Sequence, residues 1–241
     1  MDIDTLKDAR MISATLGLFE QYGIKASFFV TTGVDETYRN FRHYTPWRLI
    51  SGNNLKRYGL CLFSGLLTKK DVQKSKEINM ILEQGHELGL HGYSHYDWMN
   101  HLDTIGKEEL SCWISKGCEL FEKAFGFYPE CFAVPGFKTN MNYLEILDDF
   151  GFRYSSDFMG AKPFYPSLKN VIRKTLQIPV SLAIGEYEDE EAIRRLKEQI
   201  SGGYAVFYFH PSNEPIFRKD LMDKALSLVA GRALPLGELI P

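Results

Sequence analysis

The chain has 241 residues, 44% of them hydrophobic and 24% charged, and a formal net charge of -3. These proportions suit a globular protein long enough for one substantial core, and they exclude a disordered or fibrous chain. With the two signs nearly balanced and no basic run to neutralise a line of phosphates, nucleic acid is excluded as the main partner.

Asp4 and Thr5 precede Leu6, Ala9, Ile12, Leu16 and Phe19 at helical spacing, and Tyr22-Gly23 closes this first helix. Ile24 to Thr32, centred on Ala26-Ser27-Phe28-Phe29-Val30, reads as a buried strand ending at Gly33. From Asp35 to Thr68 no period is sustained, so the stretch reads as a long, partly helical insertion, the kind of segment that serves as a substrate lid beside strand ends. Its most apolar piece, Tyr58 to Leu67, has about half the length a spanning helix requires. It can rest on a membrane but not cross one.

Lys69 to Gln84 reads as a charged amphipathic helix with Val72, Ile78, Ile81 and Leu82 as its apolar side. Glu87-Leu88-Gly89-Leu90-His91 follows as a buried strand, with His95 four positions beyond its end. The alternation then repeats: helix 108–125, strand 130–134, helix 142–150, strand 152–155, strand 176–182, helix 189–200. Gly202-Gly203 releases the chain into strand 204–209, which ends at His210; Ile216 to Val229 is the last long helix, and Ala233 to Leu236 is expected as a final short strand. Strand-helix alternation of this kind implies an α/β fold with a largely parallel sheet and helices outside. A barrel is favoured over an open sheet because the polar candidates follow many different strands, and a barrel aims all of them at one mouth. A single domain over 1–241, with 35–68 as an insertion, fits best.

Cys61, Cys112, Cys118 and Cys131 form no C-x-x-C pair and no disulfide framework, as expected of reduced thiols. Met1-Asp2-Ile3-Asp4 carries no signal segment, so the expected address is cytoplasmic.

Chemistry concentrates at strand ends. His91 and His95 converge on one ion if a helical turn follows the strand, and neutral imidazole suits zinc and similar metals; two ordinary loop histidines give the same spacing. Asp2 and Asp4 share a face if the opening residues are extended, or else form an acidic terminus capping the first helix. His210 reads either as a positioned acid or as a satisfied core histidine.

Together Asp2-Ile3-Asp4-Thr5, Ala26-Ser27-Phe28-Phe29-Val30, His91-Gly92-Tyr93-Ser94-His95 and Phe207-Tyr208-Phe209-His210 resemble, in order, the motifs of the polysaccharide deacetylase (NodB-homology) family. Gly89-Leu90-His91, Arg153 to Asp157, Lys162 to Pro166 and Gln177 to Val180 are similar to its deformylase branch, which acts on 4-formamido-arabinose linked to undecaprenyl phosphate. The resemblance implies a distorted (β/α)7 barrel and metal-dependent hydrolysis of an N-formyl or N-acetyl amino sugar, with a polyprenyl-linked substrate. It implies one divalent ion (zinc, or manganese, cobalt or nickel) on Asp4, His91 and His95. Asp2 would be the general base, His210 the acid that protonates the departing amine, and Asp157 the carboxylate that orients His210. Pro135, Gly136, Phe137 and Lys138 would contact substrate, backbone N–H groups near Phe137 holding the oxyanion.

Two departures from the pattern stand out. Ala133 occupies the position of a family arginine, leaving Lys138 either to bind an acidic group or steer Asp2, or to be a solvated loop lysine. Only Met1 precedes the first acid, where the relatives have a full strand, so the true start is expected upstream. The insertion is expected to meet a membrane at its inner face or a polyprenyl chain through 40–67, or to pack as a lid on the barrel. The rival to an enzyme is a non-catalytic barrel binding glycan or lipid; a phosphatase-like or isomerase-like metal barrel would need more strand-end carboxylates than the sequence supplies.

Overall fold

The computed structural model describes residues 1–36, 39 and 70–240. Most of the expected insertion, including the proposed membrane-facing stretch and Cys61, lies outside the described residues.

In chain order the strands are β1 (Asp2–Ile3), β2 (Ser27–Val30), β3 (Glu87–Leu90), β4 (Cys131–Phe132), β5 (Tyr154–Ser155), β6 (Ser167–Leu168), β7 (Val171–Ile172), β8 (Leu176–Gln177), β9 (Leu182–Ala183) and β10 (Phe207–Tyr208). A parallel sheet runs β1-β2-β3-β4-β5-β8, with Asp2 opposite Phe29 and Phe29 opposite Gly89. β9 and β10 form a second parallel pair, β6 and β7 an antiparallel hairpin. A parallel bridge between Met159 and Val180 carries the curve from β8 toward β9. The result is the expected distorted barrel.

The helices are α1 (Leu6–Gln21), α2 (Asn79–Glu83), α3 (His95–His101), α4 (Lys107–Phe125), α5 (Met141–Ile146), α6 (Asp189–Ser201), α7 (Glu214–Phe217) and α8 (Lys219–Val229). Strand residues alternate between two buried faces. Phe28, Val30, Leu88, Leu90 and Phe132 pack outward among the helices, whereas Phe29, Cys131, Ala133, Tyr154, Leu176 and Ile178 form a separate inner core. This two-sided burial is why the strands read as apolar runs. The interior is narrow: a Cβ at Gly89 would fall 2.5 Å from Cys131 Sγ and 2.8 Å from the Phe29 ring, so only glycine fits.

Three sequence expectations are corrected. The helix over 69–84 is broken: Asp71 bridges Val34, Ser75 is extended between two short 3-10 turns, and only Asn79–Glu83 is α-helical. The chain is held at this point by Val72, whose N–H donates to Gly33 O at 3.0 Å. The strand over 176–182 is two strands belonging to different sheets; Pro179, which has no N–H to donate, lies between them. Ala233 to Leu236 is not a strand. The tail instead lies beside β2, with Lys25 N–H donating to Ala233 O at 3.3 Å and Leu236 N–H to Ser27 Oγ at 2.7 Å.

β1 and β10 are not hydrogen-bonded to each other. A cavity of about 320 Å³ lies at this seam, with Met1, Ser27 and Phe29 on one wall and Ala205, Phe207 and Tyr208 on the other. Among the described residues no helix is long and apolar enough to cross a membrane.

His86, at the lower rim of β3, packs against the Phe19 and Phe28 rings and accepts the Ala26 N–H on Nδ1 at 3.2 Å. Burial, with a smaller contribution from Lys25, lowers its pKa to about 4. Between pH 4 and 6.5 the unfolded chain therefore binds a proton that the folded one does not, so stability falls as pH is lowered through this window. Urea unfolding should lose about 1–2 kcal/mol from pH 6.5 to 4 through this group, allowing for solvent screening at the rim. His86→Phe should flatten that part of the profile; an unchanged slope would refute the assignment.

Candidate active site

Thr5 caps α1 through a reciprocal box in which its hydroxyl accepts the Asp8 N–H and the Asp8 carboxylate accepts the Thr5 N–H. That box fixes where β1 ends, and with it Asp4. Across the mouth β3 delivers His91, and Gly92, at φ +78°, turns the chain so that Ser94 can cap α3. His95 is the first residue of α3. The helical turn that convergence required is present.

The result is a cluster of Asp4, His91 and His95 whose candidate ligand atoms all lie within 4.8 Å of one another. His91 Nε2 is 3.2 Å from Asp4 Oδ1, and His95 Nε2 is 3.5 Å from Asp4 Oδ2. Asp4 Oδ1 and His91 Nε2 are buried without a hydrogen-bond partner, a costly arrangement that a shared cation resolves. One carboxylate and two imidazoles are the donor set of a catalytic zinc site. The residues fit the ion.

Asp2 and His210 flank this cluster. Asp2 Oδ2 is 3.7 Å from His91 Nε2, and His210 Nε2 is 3.2 Å from Asp4 Oδ2. Burial favours the neutral form of every group here, but opposite charges override it at three of them. Asp4 is held well below the usual carboxylate range by His95, His210 and His91. His91 is raised by Asp2 and Asp4, and His210 is raised to about 9 by Asp4, Asp8 and Asp2. At His95 burial prevails, reinforced by His91 and His210, and its pKa is lowered.

Asp157 does not partner His210. It is fully buried after β5 and accepts hydrogen bonds from Val134 N–H (3.0 Å), Tyr143 OH (2.7 Å), Gln177 Nε2 (2.9 Å) and the Ser155 hydroxyl. Burial raises its pKa against those four donors. Its carboxylate joins β4, α5, β5 and β8 and has nothing left for an imidazole.

Lys138 does not reach Asp2 either: its Nζ lies 2.9 Å from Met99 O and 2.7 Å from Asp103. Trp98 Nε1 donates to Lys138 O at 2.9 Å, so α3 holds the Pro135-Gly136-Phe137 turn at both the main chain and the side chain of Lys138. Gly136 and Phe137 both have positive φ, 60° and 54°, and the Phe137 ring meets Tyr208 edge-on at 5.4 Å. The strained Phe137 backbone is thus tied through its ring to Tyr208, the neighbour of His210.

The sequence reading passed over three groups. The Tyr208 hydroxyl lies 2.8 Å from His210 Nε2, and its position two residues earlier in the chain was the available signal. Asp8 is three residues after a threonine cap, also a readable pattern. Glu214, which accepts the His210 N–H at 3.0 Å, gave no signal at all.

A family model described as polysaccharide deacetylase matches residues 3–155, and the chain belongs to that family. It is 29% identical over 249 residues, 90% of this chain and 83% of the relative, to the protein of Wigglesworthia glossinidia brevipalpis named probable 4-deoxy-4-formamido-L-arabinose-phosphoundecaprenol deformylase ArnD. To the protein of the same name from Shewanella sediminis (strain HAW-EB3) it is 33% identical over 196 residues, 76% of this chain and 61% of that one. In fold it is similar to a crystal structure from Mycobacterium smegmatis assigned to the polysaccharide deacetylases, with a TM-score of 0.63 at 18% identity, covering 96% of this chain and 75% of the other.

Proposed function

We propose that this chain is a metal-dependent amidohydrolase that removes an N-formyl or N-acetyl group from an amino sugar carried on a polyprenyl phosphate, of the 4-formamido-arabinose type. The observation that carries the reading is the buried, unpartnered pair Asp4 Oδ1 and His91 Nε2 beside His95, flanked by the Asp2 carboxylate and the His210 imidazole. Similarity to the two deformylases supports the acyl group and the lipid-linked sugar.

Asp4, His91 and His95 would hold a divalent cation, zinc or else manganese, cobalt or nickel, which when bound would supply Lewis acidity for amide hydrolysis. Asp2 stands beside that position to take the water proton. His210, whose pKa is pushed up by Asp4, Asp8 and Asp2, is placed to give a proton to the departing nitrogen, so the amine leaves neutral. Tyr208 OH fixes the imidazole that makes this transfer. Pro135, Gly136 and Phe137 present backbone at the edge of the site, where an N–H near Phe137 can meet the developing oxyanion.

The test is release of formate against acetate from N-formyl and N-acetyl amino sugars by the zinc-loaded protein. Formate release should dominate, and Asp2→Asn should lower it by about 10²–10⁴-fold. Release of neither acid by protein that holds zinc would overturn the proposal.

A further inference from the structure

The two halves of the site stand on different sheets. Asp4 follows β1, at the edge of the six-stranded sheet, and His210 follows β10, in the separate two-stranded pair. No ladder joins them, and the cavity opens between them. The distance from His210 to the cluster is therefore set by side chains that reach across the seam.

Asp8 makes such a contact. It is only 3% exposed. Its Oδ2 accepts from Thr5 N–H at 3.1 Å and Thr5 Oγ at 2.7 Å, which locks the residue next to Asp4. Its Oδ1 accepts from Ser212 N–H at 3.3 Å, two residues beyond His210 and 204 positions away in sequence. An ordinary capping box uses its third-position acid only on the cap. Here the second oxygen leaves the helix and holds the loop that carries the general acid. Glu214 holds the other end of the same loop through His210 N–H at 3.0 Å.

We infer that Asp8 is a positioning residue, a clasp across the β1/β10 seam that sets His210 at protonating distance from the leaving nitrogen. The inference rests on the reading of His210 as the general acid. Asp8 touches neither the cation site nor the substrate; it holds His210 through Ser212 and Thr5, and its charge also faces the imidazole. Proton transfer is steep in donor placement, so slackening the clasp should slow the step that needs the proton and leave binding nearly intact.

The experiment compares zinc-loaded wild type, Asp8→Ala, Asp8→Asn and Thr5→Ala on an N-formyl amino sugar and on 4-nitrophenyl acetate, whose leaving group departs without a proton. Asp8→Ala should lower kcat on the amide about 30-fold, with KM and zinc affinity within threefold, and should lower ester hydrolysis less than threefold. Asp8→Asn keeps an oxygen for Ser212 N–H and should recover most of the amide rate. Thr5→Ala loses the cap but not the contact with Ser212, and so reports the cost of the helix terminus alone. Equal losses on amide and ester in Asp8→Ala, or a Thr5→Ala defect matching it, would overturn the clasp and leave Asp8 as a plain cap. Inactivity of zinc-loaded wild type on the amide would instead overturn the proposed function.

Discussion

His91→Ala is expected to abolish zinc retention and to lower amide hydrolysis by at least about 10³-fold. Its side chain is 1% exposed, with Nε2 3.7 Å from Asp2 and 3.2 Å from Asp4, so the substitution takes one of three candidate ligands out of the cluster. Metal analysis after dialysis should fall from about one zinc per chain to a trace. The difference in melting temperature between zinc-loaded and chelated protein should vanish with it, because a ligand that no longer binds the folded state can no longer stabilise it. Zinc retained at full occupancy would show that the ion sits elsewhere.

Asp157→Ala is expected to destabilise the folded protein by about 3–5 kcal/mol, or roughly 10 °C in melting temperature. The substitution strands four donors in a region without solvent: Val134 N–H, Tyr143 OH, Ser155 OH and Gln177 Nε2. Tyr143→Phe removes only one of them and should cost about 1 kcal/mol. Urea denaturation measures both. The protein that remains folded at low temperature should keep its zinc, since Asp157 holds β4, β5 and β8 and not the ligands. A loss of stability below about 1 kcal/mol would remove Asp157 from the core of the fold.

The sequence made the site more legible than its supports. His91 ends an apolar run that could be read, but the i, i+4 spacing of the histidines left a metal pair and two loop histidines both open, and the family resemblance placed Asp4 beside them; Gly92 and Ser94 supply the helical turn that brings the histidines together. The parallel sheet was legible because both faces of β2 to β4 are buried. Asp157 was misassigned because its four partners come from four separated segments, and nothing local distinguishes a carboxylate that spans strands from one that orients a histidine. Pro179 marked a break that the apolar run around it concealed. The 69–84 helix failed for a similar reason: its apolar spacing was helical, but pairing of Asp71 with Val34 fixed its first residues as extended chain. Tertiary hydrogen bonds outweighed local preference there.

The contact between Asp4 and His210 spans 206 positions. Closing so large a loop is among the most entropically demanding steps in the assembly of the chain, and topologies that depend on such remote pairings fold slowly. The reaction centre is accordingly completed only when the two extremities of the polypeptide meet. On the proposed reading, partly folded molecules with β2 to β5 in register but β1 and β10 undocked would hold the two imidazoles near each other without Asp2, Asp4 and His210, and would be inert toward amides.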